Sequence, residues 1–322
     1  MIDLLSVGAM EVEIMRPKPN LPLDEIHSFT GPFPSGASVI TVDAAAKLGL
    51  QSAMVGIIGE DEFGDVIYNR LKQDGVIIDG INRRQDATTG IAFVSYTSTG
   101  NRNYIFHFDP KTDEIKKEQF KFNKWGKIKW LHISGSSIIS SKPLRKACDY
   151  AVQKVKKNDG KLSFDPNIRI ELSNSNSIKE ILLPYIKKAD ILFPSEDEIT
   201  SLFADDLYKS IEKALSLGSK LVAVKRGARG SVIATNNINM VKEIKPFKVD
   251  CIDTTGAGDT YNAAFLFAQI NNLSPEDSAI FANATAALST TKLGPMEGCP
   301  NLNAVKKILS NNDYKNLINI LP

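Results

Sequence analysis

The run Asp253-Thr254-Thr255-Gly256-Ala257-Gly258-Asp259 sets a carboxylate directly after a pair of glycines, and the apolar, Ala-rich stretch Thr260–Ile270 follows at once. That stretch has the composition of a buried helix. The glycines therefore stand at a helix N-terminus, where unpaired backbone N–H groups and the helix dipole attract an anion. Asp259 falls in the same first turn. An anion seat with a base beside it suits transfer of a phosphoryl group to a hydroxyl. The plainer alternative is a tight turn followed by a first-turn acid that serves only the helix. Two other phosphate motifs are absent. Tyr261 stands where a dinucleotide fingerprint needs its third glycine, and no Gly-Lys-Ser or Gly-Lys-Thr of a P-loop occurs.

The elements that must position these residues are legible as short apolar runs alternating with helical segments. Strands are expected at Ile2–Val7, Ala53–Ile58, Ile128–Ile133, Leu162–Phe164, Ile191–Phe193, Leu221–Val224 and Ser231–Ala234. Helices are expected at Ala37–Leu48, Phe63–Gln73, Lys142–Lys156, Ile178–Lys187, Leu207–Leu217, Asp259–Ile270 and Glu276–Ser289. Such alternation predicts an α/β fold, a mostly parallel sheet flanked by helices, with ligands beyond the carboxyl ends of the strands. Two stretches break the pattern. Met10–Pro34 carries five prolines, and Thr89–Phe108 reads as two alternating strands around Ser98-Thr99-Gly100-Asn101, a hairpin signal. Together, segments 10–34 and 89–108 are expected to form a small β-lid over a site on a single domain spanning residues 1–322.

At 322 residues, 43% hydrophobic and 24% charged, the chain is long enough for a substantial core and has an ordinary globular composition. The formal charge of +2 points to neither nucleic acid nor an anionic membrane. Lys154-Val155-Lys156-Lys157 reads as a solvated helix face. Cys148, Cys251 and Cys299 are odd in number and widely spaced, which fits neither a disulfide framework nor a metal site, and His27, His107 and His132 are equally scattered. The N-terminus lacks a signal peptide's basic flank, and no apolar stretch is long enough to span a bilayer. A reducing cytoplasm is the expected location.

With these residues in view, the chain resembles the ribokinase-like carbohydrate kinases, the PfkB family, nearly end to end. Asp253–Asp259 is similar to the family's second signature, and Gly56-Ile57-Ile58-Gly59-Glu60-Asp61-Glu62-Phe63-Gly64 to part of the first. Ser163-Phe164-Asp165-Pro166-Asn167-Ile168-Arg169 resembles a segment of its fructokinase and 2-keto-3-deoxygluconate kinase branches, and Lys225-Arg226-Gly227-Ala228-Arg229-Gly230 its nucleotide-side loop. The resemblance implies a Rossmann-like domain with a β-sheet lid, using ATP and Mg²⁺. It makes Asp259 the catalytic base, and Gly256, Ala257 and Gly258 the anion hole, with Thr255 adding a hydroxyl. It places Glu198 of Ser195-Glu196-Asp197-Glu198 at Mg²⁺ and its waters, although Ser195 replaces the family's Asn. It puts Lys225, Gly227 and Gly230 along ATP, and Asn283 beside the adenine. The helix N-terminus is expected to keep Asp259 ionised at neutral pH. A K⁺ ion is implied between Asp253, Thr255, Ser289, Lys292 and Gly294. A homodimer formed through the lid is implied as well.

The sugar end departs from the family pattern. Glu13 stands for the usual Asp, Ser35-Gly36 for Gly-Gly, and Ile40 for an Asn. Arg169 is retained and faces phosphate or substrate. The acid-sugar branch carries a Tyr-Arg pair on the lid, whereas here the stretch is Tyr104-Ile105-Phe106-His107-Phe108, with Arg102 nearby. Loss of a fork-shaped partner for a carboxylate, with Phe106 offered to a sugar's C–H face, tilts the reading toward a neutral ketohexose such as fructose or tagatose. The alternatives left open are a 2-keto-3-deoxygluconate kinase, a nucleoside kinase and a non-catalytic sugar or nucleotide sensor.

Overall fold

The computed structural model describes residues 1–322 except 99–101, 173–176 and 237–239. Its strands are β1 (Ile2–Val7), β2 (Glu11–Met15), β3 (Thr30–Ser35), β4 (Ser52–Gly59), β5 (Ile77–Arg84), β6 (Gly90–Tyr96), β7 (Arg102–His107), β8 (Ile128–Ser134), β9 (Lys161–Asp165), β10 (Ile191–Leu192), β11 (Leu221–Lys225), β12 (Ser231–Thr235) and β13 (Met240–Ile244). Nine of them form one sheet in the order β13-β12-β11-β10-β9-β8-β1-β4-β5. It is parallel from β5 to β11 and ends in two antiparallel strands. Parallel strands covered on both faces must be apolar throughout, and every residue of β4 is buried.

The helices on the two faces form for local reasons. Helix Lys142–Lys157 starts where Ser141 accepts from the Leu144 amide, and it buries Leu144, Ala147, Cys148, Ala151, Val152 and Val155 at helical spacing. Lys154, Lys156 and Lys157 fall in its last turn, where cations suit the dipole. Helix Ala257–Ile270 differs: Thr260 through Ala268 are all buried, because it lies between helices Ala37–Lys47 and Pro275–Ser289. A helix enclosed in this way is a rigid mount for whatever its first turn carries.

The two irregular stretches form the second sheet, of order β3-β2-β6-β7. The β7 end of the expected hairpin turn, residues 99–101, lies outside the described residues. Arg16, almost fully buried, organises the Pro-rich segment. Its guanidinium donates to the carbonyls of Pro22, Glu25 and His27 and lies 4.1 Å over the Phe29 ring. Strands β5 and β13, and helices Glu196–Phe203 and Leu302–Asn311, are additions to the expected elements.

Candidate active site

The chain turns into helix Ala257–Ile270 through Gly256, which has φ +73°. A Cβ there would stand 2.3 Å from the Pro295 carbonyl, so the tight turn needs glycine. Gly258 is different: a Cβ there would meet only the Lys225 side chain, 3.6 Å from Nζ. The helix N-terminus and the Lys225 ammonium thus face one another across a small gap. Lys225 ends β11 and is paired with Asp165 at the end of β9, and Asn262 donates to the same Asp165 oxygen at 2.6 Å. Asn262 lies three residues after Asp259, on the same face of its helix. Asp165 and Asn262 were not assigned roles from sequence, although the i,i+3 spacing carries that signal for Asn262.

The loop before the helix is fixed to two neighbours. Asp253 accepts from the Thr255 amide (2.9 Å) and hydroxyl (2.6 Å) through one oxygen and from the Gly294 amide (2.9 Å) through the other. The amides of Ile252 and Asp253 both donate to the Thr290 carbonyl. The structure therefore brings the loop carrying Asp253 and Thr255 against the segment that runs from Ser289, the last residue of helix Pro275–Ser289, through Lys292 to Gly294. The Asp253 carboxylate thereby ties the two segments together. From the lid, the Tyr96 hydroxyl reaches Thr255 Oγ1 (2.8 Å), and Arg102 Nη2 donates to Thr254 Oγ1 (2.5 Å).

Between the sheets lies a cavity of about 390 Å³. Asp259, Gly256 and Thr255 line it from the main sheet's side, with Ile40, Arg169 and Asn167; Glu11, Glu13, Arg102, Tyr104, Phe106 and Phe108 line it from the lid. Glu13 is buried, accepts from Ser35 Oγ (2.7 Å), and keeps its second oxygen unpartnered. Burial, ahead of all other influences, raises it to about 7. Glu11, overlooked in the sequence, lies two residues earlier on the same strand face and is pushed by burial to about 8.

Several expectations need correction. Asp259 is not held ionised by the helix N-terminus. Enclosure by protein, then the neighbouring Asp165 charge, raises it to about 7, outweighing Lys225, Arg169 and Arg102. Glu198 sits in a capping box, one oxygen accepting from the Ile168 amide and the other from the Ser195 amide, both at 2.7 Å, and each oxygen keeps a second lone pair that can meet a water. Gly227 and Gly230, expected along ATP and not in the sugar cavity, lie in one turn. They shape the β11–β12 turn, where a Cβ on Gly230 would stand 2.1 Å from the Ile244 carbonyl. Asn283 spends its amide on the Ile244 and Lys245 carbonyls. Gly36 contributes by absence, since a side chain would collide with Glu11 Oε2 and the Ala9 carbonyl at 2.9 Å. Ile40 is an apolar wall, not a hydroxyl ligand. Phe106 is stacked between Tyr104 and Phe108, at 5.2 and 5.7 Å, so the column turns ring edges to the cavity instead of a face. An arginine is present after all: Arg102 and Arg169 both line the cavity.

An anion seat, a buried carboxylate and a lidded polar cavity at the strand ends of a doubly covered sheet define a phosphotransferase acting on a small polyhydroxylated molecule. The chain belongs to the pfkB family of carbohydrate kinases, which matches residues 1–302. It is 32% identical over 323 residues to Fructokinase-2 of Zea mays, covering 95% of this chain and 94% of that one. It is 30% identical over 323 residues to Fructokinase-2 of Oryza sativa subsp. japonica, with the same coverage. Among solved structures it resembles a candidate ribokinase II from E. coli in complex with ATP and Mg²⁺ (33% identity, TM-score 0.88, covering 97% of this chain and 100% of that one). A fructokinase from Vibrio cholerae with fructose, ADP and calcium shares the fold (24% identity, TM-score 0.83, covering 96% and 99%). The chain is thus a ribokinase-like sugar kinase. Among the described residues, no helix is long and apolar enough to cross a membrane, and no cluster of three or more His, Cys, Asp and Glu could hold a metal.

Proposed function

We propose that this kinase transfers the γ-phosphoryl group of ATP to a hydroxyl of a neutral ketohexose, fructose being the foremost candidate. The observation that carries this reading is the charge balance of the cavity. Its two arginines are already faced by carboxylates: Glu11, Glu13 and Asp259 all lie within electrostatic reach of Arg169, and Glu13 and Asp259 within reach of Arg102. A neutral polyol needs only hydroxyl partners, which these carboxylates supply. An anionic sugar would set its carboxylate among three carboxyl groups, Glu11, Glu13 and Asp259, the last of which must itself be ionised to act as base. The fructokinase relatives support the same substrate.

In this mechanism the sugar hydroxyl, held by Glu13, lies against Asp259. As its oxygen attacks the γ-phosphorus, its proton passes to the Asp259 carboxylate and the bond to the β,γ-bridging oxygen breaks, releasing ADP. A pKa near 7 suits a base that must be ionised before attack and hold a proton afterwards. The amides at Gly256–Gly258 and the Lys225 ammonium face the charge that develops on the transferring group. Asp165 and Asn262 position Lys225. Mg²⁺ would enter with ATP and would neutralise part of the phosphates' charge, with Glu198 the residue expected near its waters. Carbonyls of the 253–255 and 289–294 loops would cage K⁺ and so set the shape of the anion hole. Exposed Phe29 and Ile105 on the lid support a homodimer formed there.

The second reading, a 2-keto-3-deoxygluconate kinase, is favoured by Arg102, whose Nε is buried without a partner. Competition between the two sugars in one ATP-dependent assay decides. Fructose or another ketohexose is expected to exceed the acid sugar in kcat/KM by at least about tenfold, equivalent to roughly 1.4 kcal/mol. Preference for the acid sugar overturns the neutral-sugar reading and makes Arg102 the ligand of its carboxylate.

A further inference from the structure

The Pro295 carbonyl that forces glycine at position 256 belongs to a segment, 294–299, with an anchor of its own outside the sugar cavity. Arg70, on helix Glu62–Gln73, donates from Nη2 to the Met296 carbonyl and from Nη1 to Glu297 Oε1, both at 2.8 Å. The same carbonyl accepts a longer bond, 3.3 Å, from the Cys299 amide. Arg70 Nε donates to Asp74 Oδ2 at 2.6 Å and lies 3.8 Å from Asp43 Oδ1. Asp43 belongs to helix Ala37–Lys47 and is fully buried, and Lys47 of that helix lies 3.5 Å from Asp74. One guanidinium thus joins two helices to a carbonyl 226 residues away, with all three nitrogens of its fork engaged. As a carboxylate, Asp43 would have no donor for either oxygen. Burial first, then a hydrogen bond to Asp74, raise it well above the usual carboxylate range, so it stays a neutral acid whose proton Asp74 accepts. A buried polar cluster of this kind contributes little net stability compared with apolar residues of similar volume, but it fixes where its partners sit.

What the cluster fixes adjoins the anion hole. Pro295 directly precedes Met296, and its carbonyl lies against Gly256; Gly294, one residue earlier, donates to Asp253. On helix Ala37–Lys47, Ile40 stands one turn before Asp43, and its Cγ2 would be 3.3 Å from a Cβ on Gly256. The turn into helix Ala257–Ile270 is therefore wedged between two elements that meet again at Arg70. We propose that Arg70 is a positioning residue for phosphoryl transfer: it sets the shape of the anion hole by holding segment 294–297 against Gly256, and the buried Asp43 is part of the socket that orients its guanidinium. This rests on the reading of Gly256–Gly258 as the seat of the transferring phosphoryl group. Arg70 does not line the cavity, so it acts through the turn and not by contact with the sugar. A misplacement of about 1 Å caused far from the chemistry can cost on the order of a hundredfold in rate.

Two variants test this, Arg70→Lys and the double substitution Asp43→Val with Arg70→Met. For each, kcat and the KM values for sugar and ATP are measured well below the melting temperature, which is itself recorded. Lysine keeps a cation among Asp43, Asp74 and Glu297, and a single ammonium will sit with those carboxyl groups and leave the Met296 carbonyl. Arg70→Lys should therefore melt close to the wild type while kcat falls about ten- to a hundredfold and both KM values move less than about threefold. The double variant replaces both buried groups by apolar side chains, which should preserve the fold, and its kcat should fall at least as far. A merely structural arginine would give the opposite split, with melting temperature lost and kcat kept. Wild-type kcat in either folded variant, or an effect confined to KM, overturns the positioning role. So does failure of both variants to fold, which would make the cluster a stabilising element only. If the wild type phosphorylates no sugar, or if Gly258→Val keeps wild-type turnover, the reading of the anion hole fails instead.

Discussion

The hydroxyl of Tyr96, on the lid, lies 2.8 Å from the Thr255 hydroxyl, in the loop that leads into the anion hole. Thr255 already donates to Asp253, so the Tyr96 hydroxyl is the donor, shared between Thr255 and, at 3.3 Å, the Asp253 carboxylate. The lid therefore grips the catalytic loop directly, in the absence of any sugar contact. Tyr96→Phe removes the hydroxyl that reaches both Thr255 and Asp253 and should lower kcat about three- to tenfold, with KM for the sugar raised as the lid loosens. Steady-state kinetics check this; a variant with wild-type kcat and KM would show that the contact is idle.

Asp259→Asn keeps the shape of the side chain and removes its capacity to take a proton. Turnover should fall by about 10²–10⁴-fold or more, with ATP binding and fold retained. Calorimetric ATP binding with single-turnover measurement separates the two effects. Wild-type turnover in the variant would refute the base assignment.

Activity and stability should run in opposite directions with pH. Burial raises Asp259 and Glu13 to about 7 and Glu11 to about 8. Activity rises with pH as Asp259 ionises, giving an acid limb in kcat/KM near 7. A carboxyl whose folded pKa is raised favours the folded state while protonated. That contribution is whole below the unfolded value near 4 and is lost as pH climbs through 7 to 8. The sugar-free enzyme should therefore melt at lower temperature at pH 8.5 than at pH 5.5, and Asp259→Asn should lessen the difference. A flat kcat/KM profile from pH 5.5 to 8.5 would contradict the shifted base.

The two glycines of the anion hole should fail differently. Gly256→Ala meets the Pro295 carbonyl and must abandon positive φ, so it should lower stability by about 1–3 kcal/mol as well as activity. Gly258→Val adds bulk only toward Lys225, in the space where a phosphate would lie, and should abolish turnover with modest loss of stability. Denaturant unfolding and kcat together discriminate; the reverse pattern would reassign the anion seat.

K⁺ should activate relative to a tetramethylammonium buffer, through carbonyls of the loops that Asp253 ties to Gly294. Equal rates in both buffers would rule the cation out.

The main sheet was largely legible because its buried strands are plain apolar runs, as in Ser52–Gly59, and its helices carry clean stripes and caps. β5 escaped notice because Asp79, Asn82, Arg83 and Arg84 interrupt its pattern at the sheet edge. Asp259 and Gly256–Gly258, proposed as base and anion hole, form one local motif. What was not visible depended on distant neighbours. The sign of the Asp259 shift comes from enclosure and from Asp165, ninety-odd residues earlier. The occupation of both Glu198 oxygens needs Ile168. Glu11 was legible in principle, as the alternate partner of Glu13 on one strand face, but only once that strand was known to be part of the lid.

The lid's mixed pairing has a further consequence. Strand β2 runs parallel to β6, and everything from β3 to β5, including strands β4 and β5 of the main sheet, is threaded between them. The lid is thus not a hairpin inserted into a finished domain. Its two central strands can meet only after the intervening chain has been laid down, and this pairing of distant segments is closed at a cost in loop entropy. The lid face over the cavity is consequently not a transferable cassette: exchanging specificity with another kinase of this fold would mean changing side chains on β2 and β7 in place, because no single stretch of the lid contains both strands.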